Sequence, residues 1–458
     1  MTKMTDGFAK RGAPSVLCVN PWIHDFAAYD FWAKPLGLLS LAAVLRQHEF
    51  HVSYIDCTDR FHQKALKTDP AARCGRGPYL KTPIDKPAGL EHIPRTYSRY
   101  GIKKKWFAES LRDVPVPDLV LVTSIMTYWY PGVRETIAMI REMFPETPVV
   151  LGGTYAALCE PHARRHSGAD TVAAGTSENN ILELVGRYTG WRPDLRFDPG
   201  DMDTWPYPAL DLENRQTCVP LATSRGCPFS CPYCAASFLH PGPMQRRSPD
   251  SVVAEIEFWH QQHGICDFVF YDDALLVKGE TYFIPMAEAL IKKGWSLRFH
   301  TPNALHIQEI TERTATLMKQ IGMHTVRLGL ETAAFEDRDA FDAKVTAEAF
   351  ARAVACLKQA GFRQDQVGAY LLVGLPGQAL AEIDAAIRIV AESGITPIPA
   401  YYTPIPHTQL WPAAVAASPY DLAADPVFAN NALLPCVPEG FSWELLSHIK
   451  KQVAAVGV

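Results

Sequence analysis

Three cysteines, Cys227, Cys231 and Cys234, stand in a C-x-x-x-C-x-x-C spacing within residues 221–237, which read LATSRGCPFSCPYCAAS. Thiolates this close, separated by Gly, Pro and Ser, can wrap one soft metal centre from a loop. On a 4Fe–4S cluster, three thiolates leave one iron without a protein ligand, and that open iron can bind and reduce a cofactor or substrate. A zinc knuckle is the competing reading. Zinc takes four ligands, usually from two C-x-x-C pairs far apart, and this chain has no second pair.

The elements around the loop must place it. An apolar, strand-like run at 219–223 leads in, and repeating units of helix and strand continue to about residue 403. Helix 249–263 precedes strand 267–273 (DFVFYDD), helix 280–293 precedes 295–303 (WSLRFHTPN), and helix 307–321 precedes 324–332 (HTVRLGLET). Helix 346–360 then precedes 367–377 (VGAYLLVGLPG), and helix 379–393 precedes 396–402. With the strand before the cysteines this makes six βα-type units, enough for a partial barrel whose chemistry sits at the carboxyl ends of its strands. Polar and small residues collect at those ends. Asp272 and Asp273 close the second strand, where an acidic helix cap is the alternative role. Arg298, His300 and Asn303 close the third, with Arg298 and His300 on one face.

The N-terminal half alternates too. Strands are expected at 15–20, 51–56, 118–124, 148–153 and 170–175, with helices at 36–48, 133–144, 155–166 and 178–187 between or after them. This pattern predicts a doubly wound parallel sheet, which binds its ligands beyond the carboxyl ends of the strands. The fold class expected is therefore α/β in three parts. The first sheet spans 1–200 with a long insertion at 57–117, the partial barrel spans 201–410, and a tail or helical cap spans 411–458. Residues 192–208, rich in Pro and Trp, form the linker. The insertion holds interleaved Arg, Tyr and Gly and the run Lys103, Lys104, Lys105; a lid or substrate-facing segment is expected there, against a solvated cap. Cys57, Cys74 and Cys436 are expected as packing residues. Where the last strand runs on into a loop, Tyr402 and His407 are candidates for substrate contact, against a plain surface loop.

The bulk numbers exclude several classes. A length of 458 residues allows two or three domains, and 48% hydrophobic with 20% charged residues describes an ordinary globular protein. A net charge of −5 advertises no nucleic-acid partner. No apolar run is long enough to span a bilayer. Eleven cysteines outside any paired framework, behind a polar N-terminus, predict a reducing, cytoplasmic setting.

The cysteine loop, with aromatic Tyr233 before its third cysteine, closely resembles the cluster loop of the radical S-adenosylmethionine (SAM) enzymes. The resemblance implies a 4Fe–4S cluster on Cys227, Cys231 and Cys234, and SAM bound across the strand ends. Asp272 and Asp273 would meet the amino group of SAM, and Asn303 the ribose, with Arg298 and His300 as further cofactor contacts. Gly329 and Glu331 in RLGLET would run beside the adenine and methionine moieties, and Gly374 in VGLPGQ would admit the cofactor. Before the cluster loop, the order of elements, the turn at Thr123 and Ser124, and LGGTYAALCEPHA resemble the cobalamin-binding domain fused to many of these enzymes. There, Gly152 and Gly153 would let the backbone approach the nucleotide tail. The D-x-H-x-x-G loop that carries a cobalt-ligating histidine elsewhere is missing, and neither His24 nor His162 stands in that pattern. A flavodoxin-like domain without cofactor is the competing reading.

The resemblance further implies reductive cleavage of SAM to a 5′-deoxyadenosyl radical, with a reductase, flavodoxin or ferredoxin as electron donor, and methyl transfer to an unactivated carbon. Two alternatives remain at this point: a radical SAM enzyme that cyclises or rearranges its substrate, and a zinc-stabilised, non-catalytic binding protein. The substrate itself has no signature in the sequence.

Overall fold

The computed structural model describes residues 12–67, 69–175, 178–333, 335, 345–437 and 443–455. Apolar runs become buried parallel strands. The first sheet consists of β1 (Ser15–Asn20), β2 (His51–Asp56), β3 (Leu119–Val122), β4 (Val149–Leu151) and β5 (Thr171–Val172), in the order β2-β1-β3-β4-β5. The chain leaves β1 for β2 on one side and returns to place β3 on the other. That reversal opens a crevice beyond the carboxyl ends of β1 and β3, where doubly wound sheets take their ligands.

The second sheet runs β6 (Val219–Leu221), β7 (Asp267–Phe270), β8 (Arg298–His300), β9 (Met323–Glu331), β10 (Val367–Val373) and β11 (Thr396–Tyr401), parallel and in chain order. Successive crossovers of one hand keep the connecting helices on one side, so the sheet forms a six-stranded partial barrel. Alternation along the strands divides its faces. Phe268, Phe270 and Phe299 pack outward among helix residues such as Ile256 and Phe283, whereas Val269 shares the other face with Trp32 and Cys218.

Local chemistry sets the helix limits. In the helix Pro249–His263, the Ser248 hydroxyl accepts from Ser251 N at 3.2 Å, Pro249 occupies the first turn, and Gly264 ends it at φ 68°. The helix expected at 155–166 is instead two, Thr154–Leu158 and Glu160–His166. Pro161 has no N–H to give and its ring crowds the preceding turn, so the chain breaks at Cys159.

The 57–117 insertion is ordered. Its strands Ser98–Tyr100 and Lys81–Pro83 join Ile23–Asp25 in a small antiparallel sheet, and Lys104–Asp113 is a helix. Trp22 anchors this layer, donating from Nε1 to Ile102 O at 2.7 Å and packing edge-on against Phe107. The lysine run is partly engaged: Lys104 pairs with Glu135, and Lys103 lies over the Trp106 ring. Further along, Trp32 donates to Cys74 O at 2.6 Å, which carries the insertion to the inner face of the barrel.

Glu135 joins the insertion to the first sheet's helix, accepting from His24 at 2.9 Å and Arg99 at 3.1 Å as well as from Lys104. Burial pushes its carboxyl up, but the hydrogen bonds from His24 and Lys104 and the Arg99 charge outweigh that and bring it down to about 2. A depressed carboxylate contributes stability above its unfolded value, and the contribution is lost as pH falls through the folded one. Denaturant titrations from pH 4.5 down to pH 2 are therefore expected to lose roughly 2–3 kcal/mol from this group, and Glu135→Gln is expected to flatten that dependence. An unchanged slope in the variant would reject the assignment.

Candidate functional site

The cysteine loop is a closed excursion with a pinned base. Ser224–Arg225 pairs antiparallel with Gln245–Arg246, and the residues between them carry all three cysteines. Gly226, at φ 84°, turns the chain into the loop. Buried Asp272, just beyond β7, accepts from Thr223 Oγ1 at 2.7 Å and Ser224 Oγ at 2.5 Å, so the carboxyl end of β7 holds the entrance of the loop. Within the loop, Cys234 N donates to Cys231 O at 3.1 Å, and Ala236 N donates to Cys234 Sγ at 3.5 Å. Burial, then the neighbouring Asp273, Cys231 and Cys227, push the Cys234 thiol up despite that backbone donor. A metal centre supplies the positive charge that reverses this, because its binding drives thiol protons off.

Among the described residues, the one group of His, Cys, Asp and Glu whose ligand atoms all lie within 4.8 Å is Cys74, Asp267 and His300. The three loop cysteines do not form such a group. One zinc ion with bonds of about 2.3 Å needs its sulfurs roughly 4 Å apart, whereas thiolates on three different irons stand further from one another. The loop suits a cluster better than a single ion.

Across from the loop lies the first sheet. A cavity of about 430 Å³ is lined by Ser124 and Gly153 on that side and by Gly226, Tyr271 and Asp273 on the barrel side. A second, of about 290 Å³, adjoins it and is lined by Leu121, Gly152, Gly153 and Ile181 together with Arg225 and His240. The carboxyl ends of both sheets thus open on one space. Gly153 has φ 88°, and a Cβ there would stand 2.2 Å from Ser124 O; beside Gly152 the same atom would meet nothing within 4 Å. Ser124 Oγ donates to Gly152 O at 2.7 Å and fixes the pair.

The other expected residues are placed as follows. Asn303 donates to Tyr271 O at 2.8 Å, tying the end of β8 to that of β7. Arg298 opens β8 instead of closing it, and both Arg298 and the fully buried His300 are held by Asp267, the first residue of β7. His300 also bonds Thr325 Oγ1 at 3.0 Å and stacks on Trp32, so the pair lies on the inner face against the insertion. Gly329 is crowded, since its Cβ would stand 3.1 Å from Glu331 Oε1; Glu331 ends β9 at φ 64°, where the register with β10 shifts. Gly374, at φ 88°, faces Leu434 and Val437 of the tail.

Tyr233 packs against the cluster of Tyr402, Leu375 and Cys436, and Leu410 N donates to Pro232 O at 2.9 Å, so the tail covers the cysteine loop. His407 stacks on Phe238 with ring centroids 4.0 Å apart. Burial pushes the Cys436 thiol up to about 12, as expected of a packing residue. His24 is engaged by Glu135, and His162 bonds Tyr155 at 2.8 Å with its ring brought down to about 4 by burial.

Three participants went unnoticed in the sequence. Glu178 accepts from Arg225 at 2.8 and 2.9 Å, and Arg225 lies over the Trp205 ring, so a salt bridge joins the first domain to the cysteine loop. Lys34 lines the central cavity and pairs with Glu213 at 2.8 Å. Arg225 had a signal, its place two residues before the first cysteine; Lys34 and Glu178 had none.

Comparison with known proteins finds similar sequences and folds. The radical SAM superfamily model matches residues 221–390. An uncharacterized methyltransferase of Pyrococcus horikoshii is 25% identical over 328 residues, 66% of this chain and 70% of that one. An anaerobic magnesium-protoporphyrin IX monomethyl ester cyclase of Rubrivivax gelatinosus is 26% identical over 64% of this chain, which spans 58% of the cyclase. In fold, the chain resembles the radical SAM methyltransferase TsrM of Kitasatospora setae, solved with cobalamin and a 4Fe–4S cluster. The TM-score is 0.63 at 16% identity, covering 89% of this chain and 76% of that one. No described helix is long and apolar enough to cross a membrane.

Proposed function

We propose that this chain is a radical SAM enzyme and a cobalamin-dependent methyltransferase acting on an unactivated carbon. One observation carries the reading: Gly226 and His240 of the cysteine loop share the lining of the 430 Å³ cavity with Gly153, and Gly152 lines the cavity that adjoins it. The residues present fit the implied groups. Cys227, Cys231 and Cys234 would hold the cluster, and Asp273 and Gly226 line the space where SAM would reach its open iron. Gly152, with no atom within 4 Å of a would-be Cβ, and Gly153 offer bare backbone to a corrinoid tail. When bound, the cluster supplies one electron to SAM and the corrinoid supplies a methyl group.

The chain's own residues position and enclose. Asp272 holds the loop entrance, Asn303 ties the neighbouring strand end, and the Arg225–Glu178 bridge sets the distance between the two halves. Tyr233 packs against Tyr402, Leu375 and Cys436 and so fixes the loop beside its third cysteine.

Product analysis tests the reading. Reconstituted protein with SAM, a strong reductant and hydroxocobalamin is expected to form both 5′-deoxyadenosine and S-adenosylhomocysteine. 5′-Deoxyadenosine alone would favour the cyclisation or rearrangement reading that the Rubrivivax relative suggests, and neither product would reject both.

A further inference from the structure

A cavity of about 480 Å³ beyond the carboxyl end of β2 belongs neither to the cysteine loop nor to the glycine turn. Its walls come from the first sheet, the insertion and the segment leading to β6, and Lys34 lines both it and the central cavity. Its charges do not balance. Asp30 is neutralised by Arg60 at 2.8 Å and Glu213 by Lys34 at 2.8 Å, all four side chains largely buried. Asp113 and Arg215 oppose each other in sign at exposed positions of the lining. His62 is made less basic by burial, so it brings no charge near neutral pH. That leaves Asp56 and Asp59. Among the described residues neither has a cation within 4.0 Å, and burial followed by the Asp59 charge pushes the Asp56 carboxyl up.

Asp59 accepts at both oxygens from neutral donors, Phe61 N and Asn214 Nδ2, each at 2.7 Å, whereas Asp56 accepts at one. Asn20 Nδ2, Thr58 N and Thr58 Oγ1 all donate to Asp56 Oδ1, which leaves Oδ2 for the cavity. Two further groups in the lining are buried with an atom unpartnered among the described residues. Glu213, its side chain only 4% exposed, has a bare Oε2, and the Tyr54 hydroxyl has no partner at all. Buried polar atoms without partners are costly, and two such oxygens beside Asp56 Oδ2 in one lining ask for a ligand rich in donors.

We propose that this cavity binds an organic cation, an ammonium or guanidinium group, and that it receives the cationic end of the acceptor molecule whose reacting carbon lies in the central cavity. The second half of this rests on the methyltransferase reading; the first does not. The several N–H donors of a guanidinium or ammonium match Asp56 Oδ2, Glu213 Oε2 and the Asp59 carboxylate, and the positive charge answers the two carboxylates that have no cationic partner among the described residues. Lys34, held by Glu213 at the boundary, repels a second cation and so sets which end of the molecule enters.

The test is calorimetric titration of the full chain, without reductant or cobalamin, using agmatine as probe and inorganic phosphate as control. Saturable one-to-one binding of agmatine is expected, weakened about tenfold by Asp59→Asn and several-fold by Tyr54→Phe. Tyr54→Phe removes a hydroxyl that has no partner, so folding is retained in at least one variant. Asp273→Asn, in the central cavity, is expected to leave agmatine affinity unchanged. Absent saturation, equal affinity in both cavity variants, or tighter binding of phosphate would each overturn the proposal. Because no methyl transfer is measured, such a failure would leave the proposed reaction standing, and failure of the product analysis would leave this site standing.

Discussion

Cys231→Ala is expected to abolish SAM cleavage. Three thiolates hold the cluster in the proposed site, and removing one leaves two irons without protein ligands, so electron delivery to SAM has no route. 5′-Deoxyadenosine formation should fall by at least about a thousandfold, equivalent to roughly 4 kcal/mol at the transition state. The broad charge-transfer absorption of the iron-reconstituted protein should vanish with it. The fold should survive, because the loop entrance is held elsewhere, by Asp272 on Thr223 and Ser224 and by Glu178 on Arg225. Far-ultraviolet circular dichroism matching the parent separates loss of the cluster from loss of structure. Retained iron and activity in the variant, or a colourless parent carrying stoichiometric zinc, would end the cluster assignment.

Gly153→Val should be the most damaging change on the first sheet. A Cβ there meets Ser124 O at 2.2 Å and Ser124 N at 2.6 Å, both backbone atoms that cannot swing away. The positive φ adds a conformational cost for any β-branched residue, so about 3 kcal/mol or more of stability should be lost. Gly152→Ala makes the useful contrast. Its Cβ meets nothing within 4 Å, yet it would stand in the 290 Å³ cavity. Melting should stay near the parent value while retention of hydroxocobalamin on a desalting column falls. If Gly152→Ala retains corrinoid fully, the turn is not the corrinoid cradle.

The presence of all eleven strands of the two large sheets was legible because most are short apolar runs bounded by Gly, Pro or Asp, and parallel strands buried on both faces read that way. Their ends were less legible. Residues 301–303 and 271–273 continue the extended pattern in sequence, but β8 stops at His300 and β7 at Phe270, where side chains take over the hydrogen bonding. Arg298 shows the limit clearly. Period-2 alternation correctly put it on the same face as His300, yet nothing local could reveal that Asp267, 31 residues earlier, would hold both at the start of the strands. The insertion resisted reading for a related reason. Its strand Ser98–Tyr100 pairs with Ile23–Asp25 across a long sequence separation, and its reach to the barrel runs through single contacts such as Trp32 to Cys74 O.

The Arg225–Glu178 bridge has a thermodynamic consequence. Arg225 stands two residues before Cys227, while Glu178 lies just beyond the last strand of the first sheet, so one ion pair belongs to both halves. Whatever orders the cysteine loop also favours the docked arrangement of the halves, and whatever fills the glycine-turn cavity, which both partners line, favours the same arrangement. Two ligands that select one conformation help each other bind, and the help is equal in both directions. A cluster and a first-domain ligand bound as proposed would thereby be mutual effectors, with filling of either site favouring assembly of the other.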